Sequence, residues 1–263
     1  MLFKKLIKFF FKISLMIILG LIVVSSIDPK MIEGKTKRYI DEKDQAAVEM
    51  DGNEVNDRLA DTKQHELLYQ KSIFTYQPLP QNIIDKIKGI SWKKGAPATL
   101  ESLAYVKVSY FGFDDKIHQG ELIVHKEIAQ EVTGIFKELY AAKFPIEKIK
   151  LIDEYGANDD LSMADNNTSS FCFREVEGSD GKLSKHSFGI AIDINPVQNP
   201  YIRKKKISPS EGEPYRDRLD IKKGMIVKDD VCYKAFKSRG WIWGGEWKTM
   251  KDYQHFQKNI VLK

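Results

Sequence analysis

Two well-separated segments of the chain combine a histidine with a carboxylate residue. The first contains His186 and Asp193, with Gly189 between them, and the second contains Asp252 and His255. A catalytic zinc ion typically takes three protein ligands and keeps a fourth position for water. Two histidines and one carboxylate are a suitable set, so the pattern favours zinc held by His186, Asp193 and His255. Another divalent ion stays an alternative, although nitrogen and oxygen ligands with an open position suit zinc well.

The spacing of these residues places demands on the backbone. His186 and Asp193 are seven positions apart, so on an uninterrupted strand they would face opposite ways. A turn must therefore intervene, and Gly189 permits one, with Asp193 on a strand at residues 190–194. Asp252 precedes His255 by three positions and would share the site if that segment turned helically. Its expected role is to accept a proton from the metal-activated water and to pass it to the leaving amine.

Each candidate residue also has an ordinary structural interpretation. A single histidine in a loop is often a surface residue or a hydrogen-bonded core residue, and Asp193 or Asp252 could cap a strand or a helix. His65, His118 and His125 have no comparable neighbours, so structural roles are expected for them. His186 and His255 differ because each lies near a carboxylate, glycine turns and, for His255, tryptophans.

Together these residues resemble the zinc signature of VanY-type D-alanyl-D-alanine carboxypeptidases. The wider family includes phage L-alanyl-D-glutamate endolysins and, more distantly, the hedgehog signalling domain, and the resemblance covers roughly residues 98–259. It rests on Ser184-x-His186-x-x-Gly189-x-Ala191-x-Asp193 and Asp252-x-x-His255. The resemblance implies zinc ligands at His186, Asp193 and His255 and a catalytic base at Asp252. It also implies an α+β fold with a small antiparallel sheet flanked by helices, as in hedgehog and DD-peptidase domains.

The resemblance extends to residues that would contact the substrate. Arg174 matches a position where an arginine faces the cleft, suited either to bind a carboxylate or to polarise the scissile carbonyl. An ordinary ion pair is the alternative for Arg174. Ser184 is expected to support the site through a hydrogen bond. Trp243 is assigned a substrate-binding or supporting role, although Trp241, Trp243 and Trp247 could also be core, the role favoured for Trp241.

Hydrophobic periodicity indicates the elements that must position these side chains. Alternating apolar residues predict a strand at 103–110, and helical spacing predicts an amphipathic helix at 127–143. Shorter strands are predicted at 121–124, 149–153 and 189–194, and a short helix at 231–239 ends at Gly240. Strands mixed irregularly with helices favour an α+β domain over a wound parallel sheet. The charged stretch 202–228 is a candidate lid over the cleft.

The N-terminus has the features of an export signal. Lys4, Lys5, Lys8 and Lys12 precede an uncharged stretch at residues 13–27. This stretch is shorter than the ~20 residues that comfortably span a bilayer. The sequence is therefore compatible with a cleaved signal peptide and with a retained signal-anchor, and a buried core helix is the structural alternative. We expect an N-terminal hydrophobic helix at 1–27, a polar stalk at 28–95 and a zinc peptidase domain at 96–263, outside the cytoplasm.

The composition narrows the classes of function that the chain can have. The chain has 42 Lys+Arg and 37 Asp+Glu, and this net charge of +5 is too small to indicate a nucleic-acid partner. Cys172 and Cys232 form no Cys-x-x-Cys pattern, and their pairing cannot be deduced.

The leading hypothesis is a secreted or membrane-tethered zinc peptidase acting on peptidoglycan stem peptides, at either the D-Ala-D-Ala or the L-Ala-D-Glu bond. The alternatives are a non-catalytic zinc-containing wall-binding module and a structural spacer, and the full ligand set with Asp252 favours the enzyme.

Overall fold

The computed structural model describes residues 72–176 and 178–261, so the predicted signal segment at 1–27 lies outside the described part. Within the described ranges, the helices and strands are, in chain order, β1 (Phe74–Pro78), α1 (Gln81–Ile87), β2 (Leu103–Phe111), β3 (Ile117–His125), α2 (Lys126–Ala141), β4 (Lys148–Ile149), α3 (Asp159–Ala164), β5 (Asn167–Thr168), β6 (Ala191–Asp193), β7 (Tyr201–Arg203), β8 (Lys206–Ser208), α4 (Val231–Lys237), β9 (Ile242–Trp243), β10 (Lys251–Asp252) and β11 (His255–Gln257).

The longest strands form the scaffold of the domain. β1, β2 and β3 make an antiparallel sheet with β2 in the centre. Val106 and Val108 of β2 face the same side, where Val132 and Phe136 of α2 pack against them in one apolar cluster. Burying a large apolar side chain stabilises a fold by ~1.5–3 kcal/mol, so this cluster is a main source of stability. The predicted strand at 103–110 is confirmed.

Helix α2 forms where the apolar periodicity predicts a helix. Its N-terminal cap is His125, whose Nδ1 accepts a hydrogen bond from the Glu127 backbone N–H. Such a cap satisfies one of the N–H groups that the first helical turn leaves without a partner. The helix ends at Ala141, shortly before Lys143, which has a positive φ of 52°, and Pro145. His125 therefore has the structural role expected for it.

The folded region begins earlier than the predicted boundary at residue 96. β1, which lies in the segment assigned to the stalk, pairs with β2 along its whole length. α1 buries Ile83 and Ile87 against Leu103 and Tyr105 in a second apolar cluster. The stalk prediction was wrong for this part because β1 is an edge strand with mostly exposed side chains, so its sequence lacks a buried apolar face.

The second half of the domain uses much shorter strands. β11 pairs antiparallel with both β6 and β9, and β7 pairs with β8 and β10. β4 and β5 form a parallel pair. The predicted strand at 149–153 is shortened to Lys148–Ile149, and the chain then forms a 3-10 turn at Ile152–Tyr155.

These small antiparallel sheets and few helices confirm the α+β class. Among residues 72–176 and 178–261, no helix has the length and apolar character needed to cross a membrane. Cys172 and Cys232 are both buried and free.

Candidate metal centre

His186 is positioned by a turn whose two ends are both specified locally. The turn is a 3-10 helix at Lys185–Phe188, and the Ser184 side chain accepts a hydrogen bond from the His186 backbone N–H at its start. Gly189 ends the turn with a φ of +68°, and a Cβ there would lie 2.7 Å from the His125 nitrogen. Glycine is required because both the conformation and the close approach exclude a side chain. Ser184 thus supports the site through a hydrogen bond.

Asp193 and His255 face each other across neighbouring strands. They are direct partners in the antiparallel register of β6 and β11. The side chains of directly opposed residues lie close together on one face of a sheet. The His255 Nδ1 lies 2.9 Å from Asp193 Oδ1, and the His186 Nε2 lies 3.1 Å from Asp193 Oδ2. All three residues are buried, at 2–7% exposure.

The donor atoms of this cluster fit a divalent metal. His186 Nε2 and His255 Nδ1 are 3.3 Å apart, and all candidate ligand atoms lie within 4.8 Å of one another. Tetrahedral zinc with bonds of ~2.0–2.1 Å would place its ligand atoms roughly 3.3 Å apart. The cluster formed by His186, Asp193 and His255 therefore has the composition and the spacing that a zinc ion needs.

The remaining ring nitrogens are held by groups that accept hydrogen bonds. His186 Nδ1 donates to the Ser170 carbonyl oxygen, and His255 Nε2 donates to Gln257 Oε1 at 3.2 Å. Each bond orients its ring so that the other ring nitrogen points into the cluster. Metal-binding histidines are commonly oriented in this way by a second hydrogen bond.

Electrostatics within the cluster are strong because water is excluded. Burial acts to raise the pKa of Asp193, but the neighbouring His186 and His255 outweigh it and hold the pKa well below its usual range. Burial likewise acts to lower the pKa of His255, but the Asp193 carboxylate raises it to about 9. In the absence of a metal, His255 is therefore a cation at neutral pH.

Asp252 reaches the site from a strand and not through a helical turn. It lies in β10, opposite Tyr201 of β7, and a two-residue bend leads from it into β11 at His255. The expected helical turn was wrong because the pairing of β10 and β11 with other strands keeps both segments extended. Gly244 packs against Asp252, where a Cβ would lie 2.5 Å from the Asp252 carbonyl oxygen.

The environment of the Asp252 carboxyl favours its neutral form. Its Oδ1 is buried and has no hydrogen-bond partner among the described residues. Burial, partly opposed by the charge of His255, raises the pKa of Asp252 to about 7. A carboxyl group with such a pKa can both accept and release a proton near neutral pH.

The side chains of the metal cluster and of Asp252 line one cavity of about 520 Å³. Arg174 lies on its wall, with Nη2 at 2.8 Å from Asp159 Oδ2, and the two side chains are only 26% and 24% exposed. This is an ion pair, as the simpler interpretation of Arg174 expects, but it lies in the cavity and not on an open surface. From the charged stretch 202–228, Arg203 and Ser208 line the cavity.

The three tryptophans divide between the two roles that the sequence left open, cavity wall and core. Trp247 lines the cavity, and its ring centroid lies 5.5 Å from that of His255. Trp243 is buried at 4% exposure, and its indole N–H donates to the Tyr253 carbonyl oxygen at 2.8 Å. Trp243 therefore does not line the cavity: of the roles considered for it, the structure shows the core position, with its indole N–H held by the Tyr253 carbonyl. Trp241 is core, as favoured.

Some residues of the site carry little or no signal in the sequence. Asp159 lines the cavity, whereas its neighbour Asp160 is exposed, and nothing in the sequence separates them. Gln257 lies two positions after His255 on the same strand, and this alternation is the one signal that could have identified it. The Ser170 carbonyl is a backbone group and cannot be predicted from its side chain.

The structure thus defines an α+β protein with a buried site that can hold a divalent metal. Residues 177–258 match the model of a peptidase family described as D-alanyl-D-alanine carboxypeptidase, so the family resemblance seen in the sequence is confirmed over these residues. A search of curated proteins found no match, and a search of solved structures found none either.

Proposed function

We propose that this protein is a zinc-dependent peptidase that cleaves the stem peptides of peptidoglycan. The observation that carries the proposal is the convergence of His186 Nε2, the Asp193 carboxylate and His255 Nδ1 in a cavity that also contains Asp252. The family match at residues 177–258 supports a peptidase and, through the family, a peptidoglycan-derived substrate.

His186, Asp193 and His255 would hold the zinc ion. When bound, zinc supplies a Lewis acid and lowers the pKa of water toward ~7. Asp252 accepts a proton from the attacking water as the water oxygen bonds to the scissile carbonyl carbon. The same proton then passes from Asp252 to the leaving nitrogen, and the C–N bond breaks to give an amine and a carboxylic acid, which ionises by releasing the second proton of the water.

The cavity wall would contribute binding and orientation. Arg174 donates hydrogen bonds toward an oxygen of the substrate, either at the scissile carbonyl or at a carboxylate. Trp247, which packs on His255, presents an apolar surface to the peptide. These contacts are compatible with removal of a terminal D-Ala and with cleavage between L-Ala and D-Glu.

We infer further that the enzyme works outside the cytoplasm, attached to the membrane or released from it. This part of the proposal rests on the sequence of residues 1–27, where lysines precede an uncharged apolar stretch. Peptidoglycan lies on that side of the membrane, so the location and the proposed substrate are consistent.

A digest of purified muropeptides tests the activity and identifies the bond. The full-length protein is incubated with zinc, and the products are weighed by mass spectrometry. Loss of one terminal D-Ala establishes a carboxypeptidase, and separation of L-Ala from D-Glu establishes an endopeptidase. If the chain binds zinc but cleaves no stem peptide, the proposal fails and the wall-binding module becomes the better account.

The same digest tests Asp252 as the catalytic base. Asp252→Asn should lower kcat by ~10²–10⁴-fold, the usual contribution of general acid–base catalysis. The control is Asp85→Asn, an exposed aspartate on α1 whose carboxylate accepts a hydrogen bond from Gln81. Full activity in Asp252→Asn would show that another group moves the proton.

A further inference from the structure

Arg174 has a fixed backbone. The Ser187 hydroxyl accepts a hydrogen bond from the Arg174 N–H at 3.0 Å and donates to the Arg174 carbonyl oxygen at 2.7 Å. The Arg174 carbonyl also accepts from the Ser184 N–H at 3.0 Å. Since Ser184 and Ser187 flank His186, the base of the Arg174 side chain is tied to the turn that carries this histidine.

The guanidinium of Arg174, by contrast, depends on one partner. Among the described residues, its ion pair is with Asp159, and its Nε is buried with no hydrogen-bond partner. A long arginine side chain has many rotamers, and ordering it costs conformational entropy. The orientation of the guanidinium therefore depends on the carboxylate of Asp159.

Asp159 itself is held in place by its surroundings. It is the first residue of α3, and the preceding Asn158 caps this helix by accepting from the Leu161 N–H at 3.0 Å. Further along α3, the buried Ser162 hydroxyl accepts a hydrogen bond from Asn167 at 3.0 Å. These contacts make Asp159 a fixed point to which a flexible side chain can be anchored.

The charges in the cavity explain why such an anchor matters. Asp193 and Asp252 line the same cavity and attract the Arg174 guanidinium, as does Asp159. Without the carboxylate of Asp159, the guanidinium would be drawn toward the metal cluster and the base. There it would compete with the metal for Asp193 and disturb proton transfer at Asp252.

We propose that Asp159 is a positioning residue that holds the Arg174 guanidinium on the cavity wall, away from Asp193 and Asp252, with its remaining N–H groups available to the substrate. The inference rests on the proposed function, because it assigns Asp159 a role in the same peptidase site. If the ion pair between Asp159 and Arg174 were purely structural, it would only join α3 to the segment that contains Arg174. Its loss would then not affect the reaction.

A double-mutant cycle separates these two roles. Asp159→Asn should lower kcat/KM on muropeptides by about 10-fold, the effect of losing a hydrogen bond to a charged group. The control Asp160→Asn changes the neighbouring exposed residue and should have wild-type activity. Combining Asp159→Asn with Arg174→Lys should cost little more than Arg174→Lys alone. The proposal would be overturned if the two substitutions lowered kcat/KM independently, so that their fold-changes multiplied in the double variant. Wild-type activity in Asp159→Asn would also overturn it.

A second measurement does not depend on peptidase activity. Labelling of arginines by a dicarbonyl reagent, followed by peptide mass spectrometry, reports how firmly each guanidinium is held. Arg174 should react several-fold faster in Asp159→Asn than in the wild type or Asp160→Asn, with Arg239, which pairs with Glu138, as internal reference. Equal rates at Arg174 would overturn the inference. If the wild type cleaves no stem peptide but the rates differ, the proposed function fails while the anchoring of Arg174 stands.

Discussion

The two halves of the domain share one apolar cluster but differ in the length of their strands and in their buried polar contacts. In the scaffold, β2 and β3 are nine residues long each, and the face toward α2 is apolar. In the half that carries the candidate site, β6 and β11 are three residues long, β9 and β10 two. There Ile192, Trp243 and Phe256 belong to the same apolar cluster, and buried polar side chains that bond to distant backbone groups add a second kind of contact.

Asn199 shows how this second half is organised. Its buried amide donates to the carbonyl oxygens of Ile194 and Gly224, at 3.2 and 3.0 Å. Its Oδ1 accepts from the Ile226 N–H at 2.7 Å and from Arg218 at 3.1 Å. One side chain thus joins the end of β6, which carries Asp193, to the charged stretch 202–228.

The comparison indicates that apolar packing stabilises both halves, whereas buried hydrogen bonds also fix the geometry of the candidate site. Apolar packing is not directional, so the scaffold tolerates changes that keep its volume. Buried hydrogen bonds are directional, and each lost partner leaves an unsatisfied group. We therefore expect scaffold substitutions to lower stability without altering the site, and substitutions in the second half to alter the site at a smaller cost in stability.

The largest effect on stability is expected in the scaffold. Phe136→Ala should lower the free energy of unfolding by about 3–5 kcal/mol, because Phe136 is 1% exposed and its removal leaves a cavity. Chemical denaturation measures this change. Zinc affinity of the molecules that remain folded should equal that of the wild type, and a loss of affinity would break the proposed separation.

Gly189→Ala should affect both stability and the site. The positive φ and the contact of the new Cβ with the His125 backbone together cost at least about 2 kcal/mol. The turn that carries His186 must then shift, so zinc affinity should fall as well. Gly95→Ala, also at a positive φ but with open space around it, is the matched control and should retain zinc affinity.

Asn199→Ala is expected to cost about 1–3 kcal/mol of stability, because it leaves buried carbonyl and N–H groups without partners. Its effect on zinc affinity should exceed that of Phe136→Ala, although its effect on stability is smaller. Calorimetric titration with zinc beside a thermal melt compares the two variants. If Phe136→Ala weakened zinc binding more, the polar contacts would not be what positions the site.

Zinc affinity is also expected to depend on pH, an effect that needs no substitution. Since the pKa of His255 is raised to about 9 without metal, zinc binding at neutral pH must displace a proton. Affinity should therefore rise about tenfold per pH unit from pH 7 and level off near pH 9. Titrations in buffers of different ionisation enthalpy count the released proton, and a pH-independent affinity would contradict the assignment of His255.

The same shift affects the zinc-free protein in the opposite direction. A group whose pKa is raised on folding stabilises the fold below its unfolded pKa of ~6.5. That contribution is lost as the pH rises through about 9. Thermal melts of the zinc-free protein between pH 6 and pH 10 test this sign.

Much of the scaffold could be predicted from the sequence, because apolar periodicity directly reports a buried face. β2 and α2 follow from it within a few residues. β1 could not be predicted, since an edge strand with exposed side chains has no such pattern. The short strands of the second half are held by contacts between distant residues, which a local pattern does not contain.

The candidate site was predictable in its residue types and less so in its geometry. The sequence indicates that His186 and Asp193 need a turn at Gly189, and the structure has it. The spacing of Asp252 and His255 is equally compatible with a helical turn and with a short bend between two strands. Trp243 and Trp247 cannot be ranked as core and cavity residues without the fold, and neither can Asp159 and Asp160.

The central claim is that His186, Asp193 and His255 together hold one metal ion. Its most direct test is calorimetric titration of the metal-free full-length protein with zinc, with Asp193→Asn measured in parallel. The account predicts one zinc per wild-type chain and a loss of zinc affinity of more than about 100-fold in Asp193→Asn. This loss exceeds the effect usually seen when a residue that only hydrogen-bonds to a metal ligand is substituted. Equal stoichiometry and affinity in the two proteins would contradict it.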